Sequence, residues 1–286
     1  METNLRQSET KVEVEGILSS KKLEISSDDK GNKVIKGNIV VKVDDTNSIS
    51  FGVFVSEKTS KGEPSKAWAG MNTIMNEYKS IADVGEAEAD RVHVNGGFNT
   101  FKTAQGQDVT NYKGSFFTRL TRPLDPKRKF SSEVFIKSKI WERDNNGEET
   151  GRLRVRGIAP DYAGINILDM VCPEKDENGD AFATVADDLF EVGNTYLVNG
   201  EIVNSRVEKK ITAALGKVEG KTEFKNELVI TGSTSAYEEE KAYSAEAINL
   251  AIQEYETAQN NKQNEKENPY TNKKPSAAAS GRSLNF

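Results

Sequence analysis

The sequence predicts a mainly β protein with short helices: two small five-stranded barrels, then a C-terminal helix and a disordered tail. Three observations carry this. Short runs of alternating apolar and polar residues are punctuated by Asp, Asn and Gly. One helix-period segment follows the third run. The order of three strands, a helix and two strands then occurs a second time.

Residues 1–10 are polar and expected to be flexible. KVEVEGIL from Lys11 alternates Val12 and Val14 with Lys11, Glu13 and Glu15. A turn built on Asp28, Asp29 and Gly31 leads to VIKGNIVVKV, and DDTNS turns the chain again. ISFGVFV places Ile49, Phe51, Val53 and Val55 on one face and leaves Phe54 on the other. Across residues 67–81, Trp68, Met71, Ile74, Met75, Tyr78 and Ile81 recur at helical spacing, a core-facing stripe. RVHVNGGF and YKGSFFTRL complete a first domain, residues 11–122.

Residues 123–131, which include Pro123 and Pro126, read as a basic linker. The second domain, residues 132–235, runs through SEVFIKSKIW, GRLRVRGIA, INILDMV, a short helix TVADDLF, TYLVNGEIV and NELVITG. Val94-Asn95-Gly96 matches Val198-Asn199-Gly200, and Ile35-Lys36-Gly37 matches Val155-Arg156-Gly157, as an internal duplication would leave them. Residues 236–259 form an acidic helix, with Ser244 as N-cap and Ala247, Ile248, Ala251, Ile252 and Tyr255 on one face. Residues 260–286 have almost nothing to bury and read as a disordered tail.

A helix between the third and fourth of five strands is the order of the OB-fold, whose second and third strands and flanking loops bind oligonucleotides or oligosaccharides. Alternation then turns Leu153 and Val155 of RLRVRG into the second barrel and Arg152, Arg154 and Arg156 out of it. Charge supports a polyanionic ligand. The chain has a net charge of −6, yet residues 101–160 carry 13 basic and 7 acidic side chains.

Aromatic residues concentrate in the same zone: Phe98, Phe101, Tyr112, Phe116, Phe117, Phe130, Phe135 and Trp141. About half of them are needed for the core. Unstacked bases want exposed rings, and their phosphates want cations. The expected stacking residues are Phe54, Phe98, Phe101 and Trp141. The expected phosphate contacts are Lys36, Arg119, Arg122, Lys127, Arg128, Lys129, Lys137, Lys139, Arg152, Arg154 and Arg156, with the second barrel holding phosphate more strongly.

Catalytic signatures are scarce. One histidine, His93, and one cysteine, Cys172, do not build a zinc site or a Cys–His pair, and no phosphate loop or nucleophile elbow is present. The pairs Asp44-Asp45 and Asp187-Asp188 and the run Glu238-Glu239-Glu240 read as turns and helix ends rather than metal ligands. No enzyme activity, cofactor or metal is expected. The lone cysteine fits a reducing cytoplasm, and with no membrane-length apolar run or signal segment a cytoplasmic location is expected.

The two strand-helix-strand units, the basic aromatic centre and the acidic helix with its loose tail resemble tandem OB-fold single-stranded DNA-binding proteins, especially those of bacteriophages of Gram-positive hosts. That resemblance implies a protein that coats single-stranded DNA without sequence preference during replication, recombination or repair. It also implies partner proteins recruited through the C-terminal region. Bacterial members end in an acidic tail with a terminal Phe. Here Phe286 is present, but Lys262, Lys266, Lys273, Lys274 and Arg282 outnumber Glu265 and Glu267. The alternatives are a structural or adaptor protein, such as a virion component whose barrels pack on proteins, and more weakly a carboxylate nuclease.

Overall fold

The computed structural model describes residues 5–28, 31–162, 164–210 and 220–267. The first unit contains β1 (Thr10–Ser27), β2 (Lys33–Lys42), β3 (Ser48–Ser56), α1 (Lys66–Glu77), α2 (Ile81–Val84), β4 (Arg91–Lys102) and β5 (Asp108–Arg119). The second contains β6 (Lys127–Arg143), β7 (Glu149–Asp161), β8 (Gly164–Cys172), α3 (Phe182–Leu189), β9 (Thr195–Lys210) and β10 (Gly220–Ser233), and α4 (Ala245–Glu267) follows. β1 pairs with β2, β2 with β3, β3 in parallel with β5, β5 with β4, and β4 returns to β1. β6 to β10 repeat this circuit, including a parallel β8–β10 closure. Each unit is therefore an OB barrel, and antiparallel pairing of β1 with β6 joins the two into one sheet.

The duplication extends to a shared irregularity. Asn95 pairs with Phe116 and Gly96 with Gly114, so Ser115 is an extra residue. In the second copy Asn199 pairs with Gly232 and Gly200 with Ile230, so Thr231 is extra. At both bulges the strand opposite needs a glycine. A Cβ on Gly96 would stand 2.1 Å from the Lys113 carbonyl oxygen, and one on Gly200 would stand 2.2 Å from that of Val229. This is the physical content of the repeated Val-Asn-Gly. Gly96→Ala or Gly200→Ala is expected to cost roughly 1–3 kcal/mol in overpacking, read as a lowered midpoint in urea.

Following the pairs from these glycines across each barrel brings Ile39 opposite Phe51 and Val155 opposite Met170. Ile39 therefore corresponds to Val155, and the match of Ile35-Lys36-Gly37 to Val155-Arg156-Gly157 is displaced by four residues. The true counterparts of Arg152, Arg154 and Arg156 are Lys36, Asn38 and Val40.

One buried cluster runs through both barrels, where Phe98 meets Phe130 edge-on at 6.0 Å. The expected single helix over 67–81 is two. Tyr78 is extended, and Ser80 with Asp83 forms a capping box that starts α2. The expected linker is also shorter, because β6 begins at Lys127 and pairs with both β1 and β9. Similarly α4 continues to Glu267, past the expected end at 259; of the expected tail, residues 268–286 lie outside the described residues. Tyr243, Ile248, Ala251 and Tyr255 form a second apolar cluster with Phe135, Ile158, Ile165 and Ile167, which lays α4 against β7 and β8.

Two reciprocal straps lock the barrels. Arg6, just before β1, grips Glu133 of β6 at 2.5 and 3.2 Å. Arg122, just before β6, grips Glu15 of β1 at 2.7 and 2.6 Å, and the Asp125 N–H donates to the same carboxylate. The Arg122 bonds above all hold the Glu15 carboxyl at about 2, against an ordinary 4.5. A depressed acid stabilises the fold fully above its unfolded value, and that contribution disappears as pH falls through the folded value. Thermal melts are thus expected to lose stability below about pH 4.5, with the Glu15 share absent from Glu15→Gln.

Candidate nucleic-acid interface

The outer wall of the first barrel, formed by β2, β3, β5 and β4, is where alternation leaves its largest rings in water. Phe54 on β3 is 63% exposed, Phe116 on β5 67% and Phe101 on β4 36%. Register connects them. Lys36 lies opposite Phe54, Gly52 opposite Lys113, Lys113 opposite Gly97, and Phe116 opposite Asn95. Lys113 is exposed and without an ion pair among the described residues, and Gly52 and Gly97 beside it carry no side chain. A Cβ on Gly97 would meet nothing within 4 Å. The result is a low floor of backbone with rings on either side.

Charge is segregated by strand. In β2 to β5 the only carboxylate is Asp108, at the start of β5, against Lys33, Lys36, Lys42, Arg91, Lys102, Lys113 and Arg119. Asp108 itself lies 3.8 Å from Lys102 and accepts from Tyr255 of α4 at 3.2 Å. These strands are therefore positive by themselves, although neighbouring elements bring Asp45 and Glu86 to Lys42 and Asp90 to Arg119. Of the expected residues it gathers Lys36, Phe54 and Phe101. Lys36 also lies 3.3 Å from Glu24 on β1.

Phe98 is buried and Trp141 half-buried, and neither lies with the exposed rings of this wall. Phe98 is 2% exposed, because Val92, Val94 and Phe98 share the inward parity of β4. Trp141 pairs with the buried Leu153 and packs against the core. Several cations are committed elsewhere. Arg122 is held in its strap. Arg119 stacks on Tyr78 at 4.4 Å and pairs with Asp90 at 3.0 Å, beyond the rings. Lys127 pairs with Asp125, and Arg128 with Glu201 and the Ile202 carbonyl. Lys129 is exposed where β1, β6 and β9 meet; it lines a cavity of about 700 Å³, beside Glu13 and Glu201. Lys137 donates to Asn249 of α4, and Lys139 contacts Asp187 of α3.

Arg152, Arg154 and Arg156 do face outward, but none stands alone. Arg152 bridges Glu142 at 3.0 Å and Glu227 at 2.6 Å. Arg154 donates through Nε to Glu142 at 2.8 Å, with Nη2 on the same oxygen. Arg156 makes a fork to Asp169 at 2.7 and 2.9 Å. Burial would raise Glu142 and Glu227, but the arginines outweigh it and hold both below the usual carboxylate range. Phe116 and Lys113 belong to the wall although the sequence alone does not single them out. Counting alternately from buried Tyr112 turns Phe116 inward; the Ser115 bulge reverses that.

Among the described residues no group of three His, Cys, Asp or Glu side chains is placed to hold a metal, and no helix is long and apolar enough to cross a membrane.

The chain is thus a pair of OB barrels, and the outer wall of the first carries exposed rings among lysines. The family model described as YorF matches residues 9–268, and the chain belongs to that family. No curated protein matches it in sequence. Similar solved structures include the single-stranded DNA binding protein from Thermus aquaticus, with a TM-score of 0.45, 10% identity, and 82% of this chain and 95% of that one covered. A deletion mutant of that protein gives 0.47 and 10%, with 82% and 98% covered. A replication protein A heterotrimer bound to ssDNA gives 0.23 and 9%, with 89% and 71% covered.

Proposed function

We propose that this protein binds single-stranded DNA without reading its sequence, and coats strands exposed during replication, recombination or repair in a bacterial or phage-infected cytoplasm. It does so without catalysis. The observation that carries the reading is the carboxylate-poor outer wall of the first barrel, with Phe54, Phe101 and Phe116 exposed among Lys36 and Lys113. Rings that face water offer flat surfaces to any base, and the lysines follow the phosphates. Duplex DNA keeps its bases stacked and cannot use the rings.

The test is an anisotropy titration of end-labelled oligo-dT at two salt concentrations, with a duplex of equal length as control. Binding that favours the single strand and weakens with salt is expected. Absence of binding at low salt would sink the reading. The label is needed because Trp141 packs against the core and is a poor reporter of the wall.

One observation favours a protein partner in addition. Val185, Leu189 and Val192 leave an exposed apolar patch on and just after α3. A structural or adaptor role, or recruitment of replication or recombination proteins, would use a surface of this kind.

A further inference from the structure

We infer that the arginine stripe of the second barrel is a latent phosphate site, closed by carboxylates that occupy the places of backbone phosphates. This rests on the proposal that the protein binds single-stranded DNA, and it concerns how that binding is restrained. A guanidinium presents the same planar fork to a carboxylate and to a phosphate. Each of the three arginines has its fork filled. Glu142 and Glu227 come from β6 and β10 and converge between Arg152 and Arg154, and Asp169 from β8 closes Arg156.

The contacts of Glu142 and Glu227 are built rather than chance surface pairs, since these side chains are only 14% and 11% exposed, whereas the Arg156–Asp169 fork lies at the surface. Arg154 and Arg156 remain 44% and 43% exposed, so an anion can reach their guanidinium groups once the carboxylate charge is removed. The counterparts in the first barrel are Lys36, Asn38 and Val40, where only Lys36 meets an acid. In the second barrel α4 also packs over Ile158, Ile165 and Ile167. The arginine stripe of the second barrel is thus charge-paired throughout, while its counterpart in the first barrel carries a single paired cation.

The physical consequence is specific. A cation already neutralised by a fixed carboxylate attracts a phosphate only weakly, and a phosphate that displaces the carboxylate leaves that negative charge beside itself. The native stripe therefore adds little to affinity or to its salt dependence. Removing the carboxylate charge opens it, and each further phosphate neutralised steepens the log–log salt slope by about 0.7 on a single strand.

The experiment compares wild type with Asp169→Asn and with Glu142→Gln/Glu227→Gln, titrated with labelled oligo-dT over a salt series. Asp169 is half-exposed, so Asp169→Asn keeps the test in force even if the double variant fails to fold. Affinity is expected to rise several-fold in Asp169→Asn and about tenfold or more in the double variant, with steeper salt slopes. Adding Arg156→Gln to Asp169→Asn is expected to abolish that increase. Wild type that binds normally while Asp169→Asn shows neither higher affinity nor a steeper slope overturns the closed-site inference alone. Wild type that binds no single strand removes the underlying functional reading, and this inference with it.

Discussion

Replacing Phe54 and Phe116 together by alanine is expected to weaken oligo-dT binding by roughly 2–6 kcal/mol, at about 1–3 kcal/mol for each stacked base. Both rings stand mostly in water, so their loss removes little that holds the barrel together. The folded state should keep its melting temperature to within a few degrees, separating a binding defect from an unfolding one. Phe117, the neighbour of Phe116, gives the contrast. It is 8% exposed and meets Phe51 edge-on at 5.9 Å, so Phe117→Ala should destabilise the fold through a cavity of its own. Anisotropy and a thermal melt on each variant check both halves of the expectation.

The second large effect falls on stability. Glu133→Ala removes the acceptor for Arg6, for the Glu9 N–H at 2.9 Å and for the Tyr243 hydroxyl at 3.2 Å. The carboxylate is 4% exposed, while Arg6 can turn to water. The cost is therefore placed at the lower end for breaking a buried pair, about 3 kcal/mol, and the melting temperature should fall by about 6–12 °C. Because the strap ties the segment before β1 to the first strand of the other barrel, the variant should also loosen the junction. Earlier hydrogen exchange in residues 5–9 and at the start of α4 would show it. A melt indistinguishable from wild type would mean that the β1–β6 pairing alone holds the barrels.

The strand order and the inward parity of most strands are legible in the sequence because each is a local property. Val12, Val14, Phe51, Leu153 and Val155 are all buried as alternation requires, and Phe54 is exposed. What escapes a reading of the sequence is set by neighbours distant in the chain. Alternation turns the arginines of RLRVRG outward correctly, but their carboxylates arrive from β6, β8 and β10, and no spacing within the stripe announces them. Lys127, Arg128 and Lys129 resemble a linker because Pro123 and Pro126 precede them, yet β1 and β9 supply strand partners on both sides. Phe116 is hidden by one extra residue in β5. The absence of carboxylates from VIKGNIVVK, SISFGVFVS and RVHVNGGFNTFK is in plain view, but it becomes a surface only once β5 closes the first barrel between β3 and β4.

The location of the DNA on the first barrel is tested most directly by photo-crosslinking. Oligo-dT substituted with 5-bromodeoxyuridine would be irradiated on the wild-type protein and the attached peptides mapped by mass spectrometry. Crosslinks at Phe54, Phe116 or Phe101 are the predicted result, with few on the peptide carrying Arg152, Arg154 and Arg156. Crosslinks confined to that peptide, or to the surface around Lys129, would contradict it.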